Sequence, residues 1–388
     1  MKASGFSATA YIGLGAALRR QDRRPEAEIA YREAIRLDPK IAMAHYNLAN
    51  ALQEMGKDEE AEAAYREAMA LRPDWPSARF NHGLFLLKQG RWEEGWKSYE
   101  LRSHPDLTGQ AERAFTAPRW NGEPLDGKTI LITAEQGLGD MIQCARYVPR
   151  LAAMGAKVTV EAPAPLQALL GRLDGVAQIV APGSPAPPTD FHCPWFSLPR
   201  GFGVRLEDPP VGAYLAADPS MAAFWRARLG PGRKIGVVWQ GNPAAKVERG
   251  RSFPLAALRP VAQAARAPLI SLQKTHGLDQ LPAAPFVVRT LGPAYDAGDF
   301  AETAAVVEGL DLVIACDTAV AHLAGALGKP VWLALKYDND WRWQRERSDT
   351  PWYPSARLYR QSARGRWDAV FDAMAHDLTA LPRLGEPS

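Results

Sequence analysis

Asp317-Thr318-Ala319-Val320-Ala321-His322-Leu323-Ala324-Gly325-Ala326-Leu327-Gly328-Lys329-Pro330 follows an apolar run, Leu312 to Ala315, that reads as a buried strand. The strand delivers an acid and a hydroxyl to its carboxyl end, where a small-residue helix carrying His322 begins. In open α/β sheets ligands bind outside the carboxyl ends of strands, and helix N-termini there attract phosphate. Ala321, Ala324, Gly325 and Ala326 allow this helix to approach a sheet or a ligand closely. The plainer alternative is an ordinary strand–helix unit in which Asp317 or Thr318 caps the first-turn amides.

Outward from this stretch, the chain alternates strand and helix from Thr129 onward. The expected strands of a first series are Thr129–Thr133, Lys157–Ala162, Gln178–Ala181 and a segment near Phe191–Leu198. A second series begins after Lys234, with Ile235–Gln240, Leu269–Gln273, Phe286–Leu291, Asp311–Ala315 and Val331–Leu335. Two such series imply two doubly wound, Rossmann-like parallel sheets. Trp367–Leu381 reads as one amphipathic helix.

The N-terminal part repeats itself. An offset of 34 superimposes Tyr11 on His45, Leu14 on Leu48, Gly15 on Ala49, Ala27 on Ala61, Tyr31 on Tyr65, Ala34 on Ala68 and Pro39 on Pro73, and a third copy carries Gly83, Leu86, Gly90, Gly95 and Tyr99. This spacing resembles the tetratricopeptide repeat, with small residues where paired helices touch and proline after the second helix. Helices are expected over 8–21, 25–37, 42–55, 59–71, 76–89 and 92–102. Such arrays offer a concave face to a peptide or partner. Asn47, Asn50 and Asn81 lie where side chains reach an extended backbone, or else are merely exposed polar positions. The expected domains are 1–103 for the repeats, 104–125 for a Pro- and Gly-marked connector anchored by Trp120, 126–215 for the first α/β half and 216–388 for the second.

The 388 residues carry a formal net charge of +3, which gives no nucleic-acid signature. Basic residues do crowd one stretch, with Arg226, Arg228, Arg233, Lys234, Lys246, Arg249 and Arg251, as an anion site or as solvated surface. Cys144, Cys193 and Cys316 are scattered, as in a reduced cytoplasmic protein. The apolar segment before Arg19 and Arg20 fits the repeat register rather than a leader peptide, and no apolar run is long enough to span a bilayer.

The motifs that carry chemistry lie at strand ends. Ala134-Glu135-Gln136-Gly137-Leu138-Gly139-Asp140-Met141 turns from strand to helix, but Ile142 occupies the third glycine position of a dinucleotide fingerprint, and Glu161 only mimics its ribose-binding acid. Asp140 falls in the first helical turn, as a cleft-facing acid or a dipole-capping carboxylate. The second series opens with Val237-Val238-Trp239-Gln240-Gly241-Asn242-Pro243, followed by Lys246, Arg249, Arg251 and Ser252. A strand running into a Gly/Pro loop and then cations suits a diphosphate. Ser271-Leu272-Gln273-Lys274 ends a further strand on the same edge. Asp338-Asn339-Asp340 reads as a loop with capping acids rather than a metal site.

Gly137-Leu138-Gly139-Asp140 and Asp317 to Pro330 together resemble the ADP-heptose lipopolysaccharide heptosyltransferase family of GT-B glycosyltransferases, over roughly residues 125–360. The whole chain is similar to bacterial proteins that fuse tetratricopeptide repeats to such a domain, flagellin glycosyltransferases among them. The resemblance implies an inverting, metal-independent glycosyltransferase whose nucleotide-sugar donor is a substrate, with no cofactor and with a protein acceptor held by the repeats. It implies Asp140 as general base and Lys246, Thr318 and His322 beside the donor diphosphate. Gly137, Gly139, Trp239, Asn242, Arg251, Ser252, Gln273, Lys274 and Asp317 complete the expected donor site, on local chemistry. The usual Lys-Arg-Trp run of the second domain is replaced by the longer Lys246 to Phe253, which leaves the sugar open. The alternative is a non-catalytic repeat scaffold with a nucleotide-sugar-binding or structural α/β module.

Overall fold

The computed structural model describes residues 7–111, 113–135, 137–185, 187–245 and 248–380. The chain divides into two compact units, Met1–Ala114 and Phe115–Ser388.

The first unit is built from three helix pairs: α1 (Ala8–Arg20) with α2 (Arg24–Leu37), α3 (Ala42–Met55) with α4 (Asp58–Leu71), and α5 (Pro76–Lys88) with α6 (Trp92–Tyr99). The glycines of the repeat register mark true contacts. A Cβ on Gly15 would lie 2.5 Å from the Tyr31 ring, and one on Gly83 2.6 Å from Ser98 Cβ. Tyr31 and Tyr65 are wholly buried and fill the core between successive pairs. Ion pairs cross the repeats: Arg19 to Glu54 at 2.5 Å, Lys57 to Glu28 at 2.8 Å and Arg91 to Glu62 at 2.6 Å. Their partial exposure makes each a minor contribution beside the packing. Asn50 is buried, accepting from Tyr65 Oη at 2.8 Å and donating to the Tyr46 carbonyl, while Asn81 donates to Tyr46 Oη. These two asparagines therefore brace the array instead of reaching outward; Asn47 stays half-buried.

The second unit holds two parallel sheets. Strands β1 (Thr129–Thr133), β2 (Lys157–Glu161), β3 (Val176–Val180) and β4 (Phe191–Pro194) form one, in the order β3-β2-β1-β4. Strands β5 (Ile235–Val238), β6 (Leu269–Ser271), β7 (Val288–Arg289), β8 (Leu312–Cys316), β9 (Val331–Leu335) and β10 (Ala356–Arg360) form the other, in the order β10-β9-β8-β5-β6-β7. Every pairing is parallel. The second order is the doubly wound 3-2-1-4-5-6, and the first sheet keeps its 3-2-1-4 part. Helical repeats are thus followed by paired Rossmann-like domains, a GT-B architecture. Complete burial of β8 and β9 explains their unbroken apolar sequences.

No strand is expected from the sequence at Ala356–Arg360, whose Arg357 and Arg360 suit its place at the sheet edge. The expected Phe286–Leu291 strand shrinks to Val288–Arg289 on the opposite edge. Pro118 to Trp120 also pair along β4, with the Trp120 amide donating to the His192 carbonyl at 2.9 Å. Trp120 is buried against Gly201, where a Cβ would come within 2.4 Å of its ring. The latter part of the 104–125 connector therefore belongs to the α/β unit. Helix Asp368–Ala380 closes the chain. Among the described residues no helix is long and apolar enough to cross a membrane, and the three cysteines are free and buried.

Replacing Tyr65 with alanine should destabilise the repeat unit by about 3–5 kcal/mol, whereas Tyr65→Phe, which loses only the hydroxyl's bonds to Asn50 and Gln53, should cost about 1 kcal/mol. Urea unfolding of the two variants beside wild type measures the difference.

Candidate active site

The order of each sheet reverses at one point, between β1 and β4 in the first and between β5 and β8 in the second. Chains leaving neighbouring strands there depart to opposite sides and open a crevice. A cavity of about 770 Å³ lies against both, lined by Gly137, Gly139 and Asp140 after β1, Gly241 and Asn242 after β5, and Asp317 and Thr318 after β8.

Thr318 is the N-cap residue of helix Ala319–Ala326 but gives it no capping bond; its hydroxyl donates instead to the Cys316 carbonyl at 3.3 Å. Asp317 does not cap either, being paired with Arg251 at 3.0 Å. The plainer alternative, in which one of these two residues caps the first-turn amides, is therefore not what the structure has. By contrast, Asp299 caps helix Phe300–Glu308 by accepting from the Ala301 and Glu302 amides. Of these two helix starts on the cavity, the one after β8 keeps an end suited to an anion.

Helix Leu138–Cys144 crosses from the first sheet to lie on helix Ala319–Ala326. A Cβ on Gly139 would come within 2.9 Å of the His322 ring and 3.2 Å of Ala319 Cα, so glycine sets this approach. Gly325 leaves similar room for Tyr353, whose ring would meet a Cβ at 2.4 Å. Asp140 accepts from the Gly137 amide at 3.1 Å, the local capping contact, and also from Arg342 at 2.8 Å. Arg342 in turn pairs with Asp340 at 2.7 Å, and Asp340 caps the turn Trp341–Trp343. His322 is buried, bonded to Tyr353 Oη at 2.8 Å and stacked on Trp343 with ring centroids 5.3 Å apart.

The remaining expected residues divide. Gln273, Lys274 and Arg251 line the cavity. The Gln273 side chain, however, is committed to backbone: its oxygen accepts from the Trp239 and Gln240 amides and its nitrogen donates to the Gln240 carbonyl. It fixes the loop after β5 rather than offering itself to a ligand. Lys274 donates to the Gly298 carbonyl at 2.8 Å and sits over the Tyr295 ring. Trp239 is wholly buried, with its indole donating to the Gly277 carbonyl, and does not line the cavity. Ser252 also stands off the cavity, tying the Gly241 amide to Glu248. Trp239 follows the end of β5 with its ring turned into the core, and Ser252 is held in the loop by its own hydrogen bonds, so neither reaches the donor side expected of it. Lys246 lies outside the described residues. In the basic stretch, Arg228 covers Phe224 and Trp225, and Arg233 reaches the Leu378 carbonyl, away from the cavity. Glu161 bonds the Ala134 amide at 3.1 Å, bracing β1 instead of meeting a ribose.

Arg342, Glu248, Tyr295, Phe300 and Thr303 also line the cavity and were not singled out. Arg342 stands between two tryptophans beside the Asp338-Asn339-Asp340 acids, which marks the loop as more than a turn. The others carry no comparable signal in the chain.

Electrostatics follow from burial. Loss of water pushes the Asp140 carboxyl above its ordinary value, with Arg342 and the Gly137 amide opposing and Asp340 and Asp317 adding to the rise. Asp317 is raised by burial too, despite Arg251 beside it. Burial would also raise Asp340, but Arg342 and Arg251 overcome it and hold that carboxyl down at about 2. His322 is driven well below the usual imidazole range by burial, then by Arg342 and Arg251, and is neutral at pH 7. Among the described residues no cluster of three or more His, Cys, Asp or Glu side chains is arranged to hold a metal ion.

Residues 8–41 and 42–74 each match the family described as tetratricopeptide repeat. Protein FlbA of Caulobacter vibrioides is 28% identical over 312 residues, covering 72% of this chain and 51% of that protein. The chain thus spans about half the length of this curated relative. A glycosyl transferase family 9 structure from Veillonella parvula aligns over 62% of this chain and 88% of its own, at 11% identity and a TM-score of 0.47. Pseudomonas aeruginosa pilF covers 26% of this chain and 46% of its own, at 31% identity and a TM-score of 0.25.

The unfolded chain protonates His322 below about pH 6.5, whereas the buried ring resists the proton. The unfolded state then binds more protons, so this ring's contribution to stability is lost as pH falls from 7 toward 5, by at most about 1.4 kcal/mol per pH unit. Urea unfolding across that range should give a shallower acid decline for His322→Gln than for wild type.

Proposed function

We propose that the protein is an inverting glycosyltransferase that moves a sugar from a nucleotide-sugar donor to an acceptor recruited by the repeats, most simply a protein. The observation that carries this reading is the pairing of Asp140 with the uncapped start of helix Ala319–Ala326 across one cavity. A diphosphate leaving group needs positive potential where its charge develops, and an acceptor hydroxyl needs a base on the other side of the sugar.

The acceptor oxygen attacks the anomeric carbon as the bond from that carbon to the donor diphosphate breaks. The acceptor proton passes to Asp140, and the electron pair leaves on the diphosphate. The first-turn amides after Thr318 and the Arg251 guanidinium offset that charge. Arg251 stays cationic because, although burial opposes its charge, Asp317 and Asp340 hold its pKa above the ordinary value. An incoming diphosphate competes with Asp317 for this guanidinium, and burial eases Asp317 toward its neutral form. His322, held neutral by burial, adds no charge of its own and shapes the wall. Lys246, five residues before Arg251 in the sequence, is assigned to the diphosphate on its charge and on the family resemblance. The proposed reaction uses no metal or cofactor and takes place in the cytoplasm. Flagellin is one acceptor of the expected kind, offered to the groove of the repeats.

Incubation with a panel of UDP-, GDP- and ADP-linked sugars and a lysate of acceptor proteins, followed by mass spectrometry, tests the reading. Asp140→Asn should bind donor normally while turnover falls about 10²–10⁴-fold. Arg251→Ala should weaken donor binding in calorimetry. Tight nucleotide-sugar binding with no transfer or release by wild type would replace this reading with that of a non-catalytic sensor on a repeat scaffold.

A further inference from the structure

Arg342 lines the cavity and has no part in the proposed chemistry. It belongs to the second half of the α/β unit, yet it grips the helix of the first. Its Nε donates to Gln143 Oε1 at 2.8 Å and its Nη2 to Asp140 Oδ1 at 2.8 Å, two residues three apart on one face of helix Leu138–Cys144. Its Nη1 donates to Asp340 Oδ1 at 2.7 Å. The Phe196 and Trp341 rings lie over the guanidinium, 4.8 and 4.5 Å from its central carbon.

The backbone beneath it is equally held. Trp352 Nε1 donates to the Arg342 carbonyl at 3.0 Å, and Arg360 donates to the carbonyls of Trp343 and Gln344. Gln344 adopts a left-handed φ of 48°, which ends the turn sharply. With all three of its nitrogens engaged and rings lying over it, the guanidinium is built to orient its neighbours rather than to receive a substrate.

We propose that Arg342 is a positioning residue that presents the Asp140 carboxylate to the cavity only while the two sheets are seated against each other. This rests on Asp140 being the proton acceptor. The Gly137 amide fixes one carboxylate oxygen from within the helix and Arg342 fixes the other from across the seam. If the seam opens, Asp140 keeps its local contact but loses its aim. A guanidinium is suited to this task because its planar fork sets direction as well as charge. The groups that act on Asp140 are Arg342 and Asp340 from the loop after β9, Asp317 after β8 and Cys144 on its own helix, while buried His322 packs against the adjacent Gly139. Of these, Arg342 is the cation in direct contact, and it holds down a carboxyl that burial pushes up.

The test uses the full chain with carboxyl-¹³C aspartate, the Asp140 signal being identified by its loss in Asp140→Asn. In Arg342→Met the Asp140 midpoint should move to higher pH. Turnover of whichever sugar nucleotide of the UDP, GDP and ADP panel is consumed should fall on the order of 10²-fold at pH 7, with donor KM unchanged and partial recovery at higher pH. Arg342→Lys keeps the charge without the fork, so Asp140 should titrate near its wild-type position while kcat still falls. An unmoved Asp140 midpoint in Arg342→Met, or full kcat in Arg342→Lys, overturns the proposal. If the methionine variant does not fold, the lysine variant alone decides on the same terms. The titration reads the pair, and turnover of Asp140→Asn reads the base, so the two ideas fail separately.

Discussion

Everything in the α/β unit depends on how closely helix Leu138–Cys144 lies on helix Ala319–Ala326. Gly139 leaves no side chain between them, and the His322 ring and Ala319 backbone occupy the space a methyl would need. Close packing of this kind is unforgiving, since interiors are filled to near-crystalline density. It brings the reversal points of two sheets to one cavity and leaves the ion pairs of the seam beside it largely buried. The segment joining the sheets is drawn in as well: the Tyr214 and Leu215 amides both donate to the Ala326 carbonyl. Arg146 spans the same seam, from the first sheet's half to the Trp352 carbonyl at 2.7 Å.

Dryness turns ordinary side chains into strongly coupled ones. Asp140, Asp317 and Asp340 share two guanidiniums, and burial alone would drive all three carboxyls toward neutrality. Arg342 sits between Asp140 and Asp340, while Arg251 is nearer Asp317, so the three acids do not behave alike. Asp340 is firmly ionised, whereas the other two are poised nearer the point of taking a proton. A buried pair gains little net stability, but breaking it leaves an uncompensated charge. The arrangement therefore favours one geometry more than it adds to overall stability.

Much of the fold was legible because it rests on repetition and periodicity. The 34-residue offset located all six repeat helices within a few residues, and the unbroken apolar runs of β8 and β9 announced buried strands. Strand β10 leaves no clear pattern because an edge strand tolerates charged residues such as Arg357 and Arg360 within it. In the site, strand-end position was readable and side-chain direction was not. Asp140, Asp317 and Thr318 reach the cavity, while Trp239 and Ser252, on either side of the lining residues Gly241 and Asn242, turn into the core or brace a loop. Arg342 lies 202 residues from Asp140, and no local pattern encodes a partnership that exists only once both sheets have formed.

The unequal treatment of two neighbouring helix starts has a further meaning. Asp299 corks one of them with a fixed negative group, while Thr318 turns its hydroxyl back toward the strand. One start thus shows the crevice a capping carboxylate and the other shows it no side-chain cap. The placement of that one carboxylate gives the rim a polarity, since the two helix starts present different groups to the same crevice.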